Sequence, residues 1–408
     1  MRASVVYYFE QCELDPLRRE LRREGLPVHV EPQVFDVLVH LLSHQERVVT
    51  KTELLDEVWG DRFVSDATLT SRLKAARQAI GDDGRAQRLI ATVHGVGYRF
   101  VGPVRREVAG PTSPTTSAPH PVHHRHTQEI RYCRSPDGVR IAYATSGSGP
   151  PLVKAANWLT HLDLEWQSPL WAHWIDALSQ SRTLVRYDER GCGLSDWEVR
   201  EFGVDPWVED LELVVDSVGL DRFPLLGLSQ GGAVAVAYAV RHPERVSRLV
   251  LVGAYARGRL ARAATEEERE EAHLDLQVGR VAWRRDDPAY RQVFAAQFLP
   301  DAPRSVWDAF IEMQRATTST RNVVQFLDAF AHIDVSEAAQ QVRCPTLVVH
   351  ARRDRRVPVA QARELAALIP GGILHVLDGG NHIGTGNEPA WQDLVDRVSD
   401  FLDQDATS

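Results

Sequence analysis

The sequence predicts a two-domain α/β protein, with a small domain of short strands and helices before residue 105 and a doubly wound parallel sheet after residue 128. Three observations support this prediction. Residues 105–128 are rich in Pro, Thr, Ser and His and show no apolar period, so they can bury almost nothing and are expected to form a linker. Residues 1–104 change from alternating to helical apolar spacing and back again. From residue 129 to 403, strand-like apolar runs alternate with helical segments.

The composition is that of an ordinary globular chain and excludes several classes of protein. Hydrophobic residues make up 43% and charged residues 25% of the 408 residues, which rules out wholesale disorder. The 47 basic and 56 acidic residues give a net charge of −9, which argues against a chain that coats nucleic acid or anionic membrane by bulk charge. The longest apolar runs are strand-sized and far short of the roughly 20 residues that a bilayer requires. We expect no membrane association.

Targeting and metal-binding signals are also missing from the sequence. The first residues lack the apolar core of about 7–15 residues that a signal peptide needs. The cysteines are scattered without metal-ligand spacing, as expected of free thiols in a reducing compartment; they are Cys12, Cys133, Cys192 and Cys344. Four histidines cluster in the linker without a supporting cysteine or carboxylate, namely His120, His123, His124 and His126. We therefore expect a cytoplasmic protein with no metal site and no cofactor.

The first domain, residues 1–104, begins with alternating segments that predict two short strands, at 5–9 and 12–14. A helix is predicted next, because one set of apolar residues recurs on a single helical face: Val34, Val37, Leu38, Leu41 and Leu42. Thr50, with Glu53 three residues later, predicts the start of a second helix over 51–59. Ser65 or Asp66 is expected to cap a third helix that continues to about Ile80.

The third helix and the segment after it are basic, although the protein is acidic. Its predicted core stripe consists of Leu69, Leu73, Ala76 and Ile80. Between residues 70 and 106 there are eight basic side chains against two acidic ones. Ser71, Lys74 and Gln78 are expected to point away from the core, as suits a helix that enters a major groove. A merely solvated helix face explains the same charges equally well.

The last part of this domain favours the first interpretation. Residues 89–100 alternate again and predict a hairpin whose two glycines permit a tight turn. Together with the end of the second helix at 54–60 and the run 73–80, the hairpin at 92–100 resembles the winged-helix effector domain of OmpR/PhoB-type regulators over 5–102. That resemblance implies a winged helix-turn-helix domain that binds promoter DNA. The implied groove contacts are Thr70, Arg72, Lys74 and Arg77, and the implied wing contacts are Thr92, His94 and Arg99.

The second domain, residues 129–403, contains strand-like runs at 152–156, 183–187, 223–227, 249–252, 346–350 and 374–377. Between about residues 257 and 337 only helical periods remain, which predicts a helical cap over the carboxyl edge of the sheet. Within the cap, several aromatic residues either line an apolar pocket or form the cap's own core; they are Trp283, Trp307, Phe310, Phe326 and Phe330.

A nucleophile elbow is predicted around Ser229. Gly227-x-Ser229-x-Gly231 lies between an apolar strand and a helix of small residues, where the turn leaves no room for side chains two residues before and after the serine. The partners of such a serine follow in the order acid and then histidine. Asp354 stands just past a strand and His382 in the loop after the next one, so His382 is expected to act as general base and Asp354 to orient it. Asp378 and His350 are the competing carboxylate and histidine, expected to cap a turn and to lie in the core.

An oxyanion hole for this serine needs two backbone N–H groups. One is expected from Gln230, the residue after the nucleophile, and the other from Asn157 or Trp158, in the loop after the first strand of the parallel sheet. His161, which follows this loop, is a further candidate for the pocket wall.

The segment at 186–196 contains the pattern D-x-R-G-x-G-x-S. With the elbow, the acid and the histidine, it resembles α/β-hydrolases of the esterase, cofactor-free haloperoxidase and proline iminopeptidase type over about 130–403. The resemblance implies an α/β-hydrolase fold with a helical cap. Serine at position 229 disfavours the chemistry of dehalogenases and epoxide hydrolases, which use an aspartate nucleophile.

The leading hypothesis from the sequence is a bacterial one-component transcriptional regulator, in which a winged helix binds promoter DNA and an α/β-hydrolase domain senses or hydrolyses a small ester, lactone or acyl ligand. A homodimer is expected, because paired winged helices on a repeated half-site gain avidity. Two alternatives remain. One is a cytoplasmic serine esterase with an accessory DNA-binding module, and the other is a non-catalytic receptor on a hydrolase scaffold.

Overall fold

The chain divides into two compact units, Met1–Val122 and His123–Ser408. The structure, a computed structural model, describes residues 5–16, 20–23, 26–28, 30, 32–59, 66–84, 86–93, 96–108, 128–284 and 288–404. Ser65, His94 and the linker histidines His120, His123, His124 and His126 lie outside these residues.

The first unit is built from two small sheets and three helices in its described part. Its strands are β1 (Val5–Phe9), β2 (Cys12–Asp15), β3 (Glu20–Arg23), β4 (Leu26–Pro27), β5 (Val49–Thr50), β6 (Ile90–Val93), β7 (Gly97–Phe100) and β8 (Arg105–Val108). Its helices are α1 (Pro32–Ser43), α2 (Lys51–Trp59) and α3 (Asp66–Ala79). One sheet has the order β4-β3-β2-β1-β8 and the other the order β5-β7-β6.

The core of this unit lies where the apolar spacing predicts it. The α1 stripe is buried, and so are Leu69, Leu73, Ala76 and Ile80 of the third helix. The Thr50 hydroxyl accepts the N–H of Glu53 at 3.1 Å, so Thr50 caps α2 as predicted. The Glu53 carboxylate does not complete a capping box, because it pairs with Arg47 and His40 instead.

The predicted start of the linker at residue 105 is wrong. Arg105–Val108 forms β8, which pairs antiparallel with β1 from Val5 to Tyr8. Arg105 and Arg106, whose charge suggested a solvated segment, in fact stack on aromatic rings of β1. Arg105 lies over Tyr8 at 4.9 Å and Arg106 over Tyr7 at 5.7 Å. Basic side chains on an edge strand cannot be told from a basic linker by composition alone. The linker's other end also differs, because Gln128 is hydrogen-bonded to Arg186 and Leu162 of the second unit.

The hairpin β6–β7 follows α3 as expected for a winged helix, with Thr92 opposite Tyr98. Gly97 has a different role from the one predicted. A Cβ on Gly97 would lie 2.0 Å from the carbonyl oxygen of Val49, so the glycine allows β5 to approach β7 closely.

The second unit is an eight-stranded sheet flanked by helices. Its strands are β9 (Glu129–Arg134), β10 (Arg140–Ser146), β11 (Pro151–Lys154), β12 (Thr183–Tyr187), β13 (Phe223–Leu228), β14 (Val246–Val252), β15 (Thr346–Ala351) and β16 (Ile373–Leu377), in the order β16-β15-β14-β13-β11-β12-β10-β9. Its helices outside the cap are α4 (Leu162–Glu165), α5 (Ala172–Ser179), α6 (Val204–Val218), α7 (Gly231–Arg241), α14 (Val359–Leu368) and α15 (Pro389–Asp403).

The six strands β11 to β16 are parallel, as the alternation of strands and helices predicts. The edge differs from the prediction, because β9 and β10 form an antiparallel hairpin and β10 pairs antiparallel with β12. Both residues 131 and 134 on β9 are arginines, so this edge strand is polar and gives a weak apolar signal.

The helical cap lies between β14 and β15. It comprises α8 (Arg259–Arg262), α9 (Glu266–Arg284), α10 (Pro288–Phe298), α11 (Arg304–Thr317), α12 (Thr320–His332) and α13 (Ser336–Ala339). An isolated bridge between Arg257 and Asp334 joins the two ends of the insertion. Among the described residues, no helix has both the length and the apolar character needed to cross a membrane.

Candidate active site and DNA interface

Ser229 stands on a sharp turn between β13 and α7. Its φ is +53°, a left-handed value that is unusual for a residue with a side chain and is typical of a nucleophile elbow. The turn is crowded, since a Cβ on Gly227 would lie 2.6 Å from the Cα of Gly232, and one on Gly231 would lie 2.5 Å from the Ala156 carbonyl. The glycines on either side are therefore required by packing, and the turn holds the serine at the carboxyl edge of the sheet.

The structure brings the three predicted catalytic side chains into one hydrogen-bonded chain. His382 Nε2 lies 2.8 Å from Ser229 Oγ, and His382 Nδ1 lies 2.6 Å from Asp354 Oδ2. Asp354 and His382 are both buried. The backbone N–H of His382 donates to the carbonyl of Phe298 at 2.7 Å, so the cap helps to fix the histidine loop.

Asp354 is held in its ionised form by its surroundings. Burial alone would raise the pKa of this carboxyl, but the charge of His382 and hydrogen bonds from His350 and His382 outweigh burial and hold the pKa well below its usual range. The second oxygen, Oδ1, accepts the backbone N–H groups of Arg356 at 2.8 Å and Val357 at 2.9 Å. An ionised, oriented carboxylate stabilises the imidazolium that a general-base step would create.

His350 and Asp378, the competing histidine and carboxylate, are placed differently from each other. His350 is buried in β15, as predicted; its Nε2 lies 2.8 Å from the Val357 carbonyl and 3.3 Å from Asp354 Oδ2. It therefore helps to hold the loop that carries Asp354. Asp378 is exposed and pairs with Arg353 at 2.6 Å. It does not bond to His382.

The two loops expected to supply the oxyanion hole meet through the side chain of Gln230. The N–H of Trp158 donates to Gln230 Oε1 at 3.0 Å, and Gln230 Nε2 donates to Glu189 Oε1 at 2.7 Å. Asn157 instead accepts a hydrogen bond from the buried Lys154 ammonium. Of the two candidate residues in the first loop, Trp158 is thus the one whose backbone N–H bonds to an elbow residue, and a glutamine oxygen occupies that N–H.

Glu189, which anchors Gln230, is fully enclosed. Burial raises its pKa to about 8 and the nearby charge of Asp210 adds to the rise, so the carboxyl holds a proton at neutral pH. Its neighbour Asp188 is also buried, with the pKa raised to about 7 by burial, and accepts the N–H groups of Leu162 and Leu194. Two buried carboxyl groups below the elbow therefore have pKa values raised to neutral pH or above.

Aromatic rings of the cap surround the Trp158 side chain. The ring centres of Trp283, Phe294, Phe326 and Phe330 lie between 5.6 and 6.3 Å from that of Trp158. The indole N–H of Trp158 donates to Gln314 Oε1 at 3.0 Å. Phe298 packs 5.6 Å from the His382 ring. The cap therefore presents apolar groups to Trp158 and His382, which suits an acyl group of low polarity.

His161 and two other predicted pocket residues have structural roles. His161 Nδ1 accepts the N–H of Leu164 at 3.3 Å and so caps α4. Trp307 donates its indole N–H to the Leu299 carbonyl, and Phe310 packs on Phe298. The contacts of Trp307 and Phe310 belong to the cap's own core.

In the first unit, α3 presents a polar face to solvent opposite its buried stripe. Thr70, Ser71, Lys74 and Gln78 are exposed, while Arg72 is half-buried. Arg99 on β7 is also exposed. The predicted contacts Thr70, Lys74 and Arg99 are therefore accessible to solvent, and their role on DNA stays a prediction.

Arg77 does not fit its predicted role as a groove contact. Only 8% of the residue is exposed. Its guanidinium donates to the Ile90 carbonyl at 2.9 and 3.1 Å and to the Thr92 hydroxyl at 2.9 Å. The side chain therefore links α3 to the hairpin, and its guanidinium donates within the domain. Thr92, predicted as a wing contact, is half-buried, and its hydroxyl accepts the hydrogen bond from Arg77.

The fold and the elbow agree with what comparison with known families finds. Residues 165–389, more than half of the chain, match the family model described as the alpha/beta hydrolase fold. The chain belongs to the α/β-hydrolase family. Residues 25–100 match the model of the C-terminal domain of transcriptional regulatory proteins. A DNA-binding regulatory domain is thus fused to an α/β-hydrolase domain.

Two curated relatives each align with a little more than half of this chain. Pyrrolizixenacetamide deacetylase from Xenorhabdus hominickii is 27% identical over 238 residues, which span 57% of this chain and 84% of that protein. The 2-hydroxy-6-oxo-2,4-heptadienoate hydrolase of Pseudomonas putida is 27% identical over 250 residues, which span 56% of this chain and 78% of that one. An enol-lactonase structure from Burkholderia xenovorans LB400 aligns with a TM-score of 0.54 and 24% identity, covering 67% of this chain and 99% of its own. That last likeness shows the fold alone.

Three features of this α/β-hydrolase were missed by sequence reasoning. They are the contact of His350 with Asp354, the position of the Gln230 side chain on the Trp158 N–H, and the internal role of Arg77. The spacing of His350 four residues before Asp354 is the one signal that pointed to the first. The other two depend on rotamers, which the sequence pattern does not report.

Proposed function

We propose that this protein is a one-component transcriptional regulator, in which the winged helix binds promoter DNA and the α/β-hydrolase domain binds and hydrolyses a small ester, lactone or related acyl compound. The observation that supports the hydrolase part is the continuous hydrogen-bonded chain from Ser229 through His382 to Asp354. Its presence in one chain with a regulatory DNA-binding domain supports the sensor role.

The geometry supports an acyl-enzyme mechanism. Ser229 Oγ attacks the acyl carbon while His382 Nε2 takes the hydroxyl proton, and Asp354 stabilises the imidazolium. In this mechanism the backbone N–H groups of Gln230 and Trp158 hold the oxyanion, once the Gln230 side chain has left Trp158. His382 then gives its proton to the leaving group, and water releases the acyl group from the serine. The names of the two relatives above, a deacetylase and a hydrolase, are consistent with this reaction class.

Signalling to DNA requires a ligand that favours one arrangement of domains or protomers over another. Changing a population from 1:99 to 99:1 takes about 5.5 kcal/mol of differential affinity. A homodimer is the simplest arrangement, since two winged helices on a repeated half-site bind with avidity. Hydrolysis would end the signal by destroying the ligand.

The test of the hydrolase part is covalent labelling with a fluorophosphonate and hydrolysis of 4-nitrophenyl acetate. We expect labelling of the wild-type protein and of Ser217→Ala, whose serine is exposed on α6, and no labelling of Ser229→Ala. Absence of both labelling and hydrolysis in the wild type would exclude the enzyme.

A second candidate, a non-catalytic receptor, is favoured by one observation. The Gln230 oxygen occupies the Trp158 N–H, where an oxyanion would bind. The variant Gln230→Ala separates the two candidates. An enzyme keeps its hydrolysis or gains in rate when the donor is freed, whereas a receptor stays inactive in both forms and still changes its DNA affinity with ligand.

The test of the DNA part is selection of bound genomic fragments by the full chain, followed by affinity measurement at two salt concentrations. We expect specific fragments and a salt-dependent affinity. Retention of random fragments alone would contradict the regulator and favour an esterase with an accessory module.

A further inference from the structure

A small cavity lies between the cap and the loop that carries Asp354. It has a volume of about 40 Å³, roughly three times the ~10–15 Å³ that a water molecule needs. One side is apolar, formed by Leu276, Leu327, Phe330 and Val357. The other side is formed by Tyr255 with three guanidinium groups, those of Arg259, Arg262 and Arg356.

The positive charge around this cavity is only partly neutralised. Asp275, the one carboxylate in the cavity wall, is bound by Arg356 at 2.8 Å and lies 3.7 Å from Arg259. Arg356 also donates to Gln297 at 2.9 Å. In the part of the chain that the structure describes, Arg262 has no carboxylate within ion-pair distance and donates only to the Arg257 carbonyl at 3.3 Å. Nearby Glu364 is paired with Arg257 at 2.6 Å.

Burial and neighbouring cations together lower the pKa of Arg259. Burial, and then the charge of Arg356, lower the pKa of its guanidinium to about 10. Three guanidinium groups against one carboxylate leave two positive charges beside an apolar wall. Partly buried charge of this kind is favoured by a compensating anion.

We propose that this cavity binds the carboxylate of an acyl ligand, with Arg259 and Arg262 as its partners and the apolar wall against its carbon chain. A guanidinium binds a planar carboxylate through paired N–H groups. Arg356 is already committed to Asp275. Arg259 reaches that carboxylate only at 3.7 Å and donates to the Arg356 carbonyl at 3.2 Å, so it and Arg262 keep N–H groups for one ligand carboxylate. The cavity volume also suits this small group.

The cavity adjoins the catalytic residues on two sides. The backbone N–H of Arg356 donates to Asp354 Oδ1, two residues earlier in the same loop. Phe330 lines the cavity and packs on Trp158, with ring centres 5.6 Å apart. The ligand class is therefore an acyl compound with a remote carboxylate, such as a half-ester of a dicarboxylic acid. Its role as a substrate rests on the proposed hydrolase function, whereas its binding does not.

The kinetic test compares two esters with five-carbon acyl groups, mono-4-nitrophenyl glutarate and 4-nitrophenyl pentanoate. We expect Arg262→Gln to lower kcat/KM for the glutarate ester at least tenfold and to leave the pentanoate ester within twofold. The matched control is Arg280→Gln, which removes a cap arginine on α9 outside the cavity and should change neither. Equal effects on both esters, or no effect on either, would overturn the proposal.

A binding test keeps the proposal separate from hydrolysis. Titration of Ser229→Ala with monomethyl glutarate in a calorimeter should show binding that weakens at least tenfold in Ser229→Ala/Arg262→Gln. If the wild type hydrolyses no ester but this binding is seen, the carboxylate site stands and the proposed enzyme fails. Absence of binding overturns the site, and so does binding of inorganic phosphate without binding of the carboxylate.

Discussion

The elbow of the hydrolase domain and the exposed face of α3 place their functional groups in opposite ways. Around Ser229, Asp354 and His382 are buried and each makes several hydrogen bonds. His382 by itself contacts Ser229, Asp354 and the backbone of Phe298. On α3, Ser71, Lys74 and Gln78 face solvent. The catalytic geometry is thus built by folding itself, whereas the DNA contacts form only when DNA is present.

This difference predicts which substitutions affect which property. Changes around the elbow should affect chemistry or stability, because the groups there have no alternative partners. Changes on the face of α3 should affect affinity for DNA and leave the stability of the fold nearly unchanged, since exposed side chains contribute little to it.

The largest expected effect is on the acid of the triad. Asp354→Asn should lower kcat for 4-nitrophenyl acetate by roughly 10⁴-fold, because the amide favours the wrong tautomer of His382. Asp378→Asn is the matched control, an exposed carboxylate paired with Arg353, and should keep wild-type activity. A severe loss in the control, or activity retained in Asp354→Asn, would show that the acid is misassigned.

Packing at the elbow comes next. Gly227→Ala should lower the free energy of unfolding by about 1–3 kcal/mol, since its methyl group would meet backbone atoms at 2.6 and 2.8 Å. Gly203→Ala is the control: no atom lies within 4 Å of the new methyl group, so it should cost less than Gly227→Ala and only as much as alanine costs at the N-cap of α6. Urea unfolding of both variants measures the difference. Equal stabilities would mean that the turn is free to adjust.

The buried floor of the site should also give the protein a dependence on pH. The pKa of Glu189 is raised from the usual 4.5 to about 8, so between these values the folded state holds a proton that the unfolded state lacks. Stability from this group is complete below about pH 4.5 and falls as pH rises to about 8, by at most ~1.4 kcal/mol per pH unit.

Glu189→Gln removes this contribution and should reduce the fall in Tm between pH 6 and 8. Asp188, with a pKa raised to about 7, remains in both proteins and leaves part of the slope. A slope unchanged in Glu189→Gln would show that Glu189 is ionised in the folded protein.

The smallest expected effect concerns the face of α3. Lys74→Ala should weaken promoter binding by roughly 5–10-fold and lower the salt slope by about one, with Tm unchanged. Arg77→Ala is the contrasting variant and should lower Tm, because it removes the bonds to Ile90 and Thr92. Gel-shift titration at two salt concentrations and thermal melting distinguish the two. A Tm unchanged in Arg77→Ala would restore Arg77 as a groove candidate.

The sequence predicted most where a residue type is required by close packing or by chemistry. Gly227 and Gly231 identify the turn because no other residue fits, and the order of Ser229, Asp354 and His382 follows from it. The helices of the first domain followed from apolar spacing that the buried core of α1 and α3 confirms, and the winged helix followed from the resemblance to OmpR/PhoB-type domains. These signals are local, so they can be read without a structure.

The errors have the opposite origin. Arginine is expected in solvent or on DNA, but Arg77, Arg105 and Arg106 use their donors and planar faces within the domain. The arginines around the proposed carboxylate site were also missed, because Arg356 lies almost a hundred residues from Arg259 and Arg262. Long side chains reach partners that are distant in sequence.

Arg77 also bears on how DNA can be read. Its three hydrogen bonds join α3 to Ile90 and Thr92 of β6, so the helix and the wing form one rigid DNA-contacting unit. The spacing between the bases under the helix and the phosphates under the wing is then set by the protein. The operator must supply that spacing, by its sequence or by bending. Inserting one base pair within a half-site should be tolerated far less than changing the distance between half-sites.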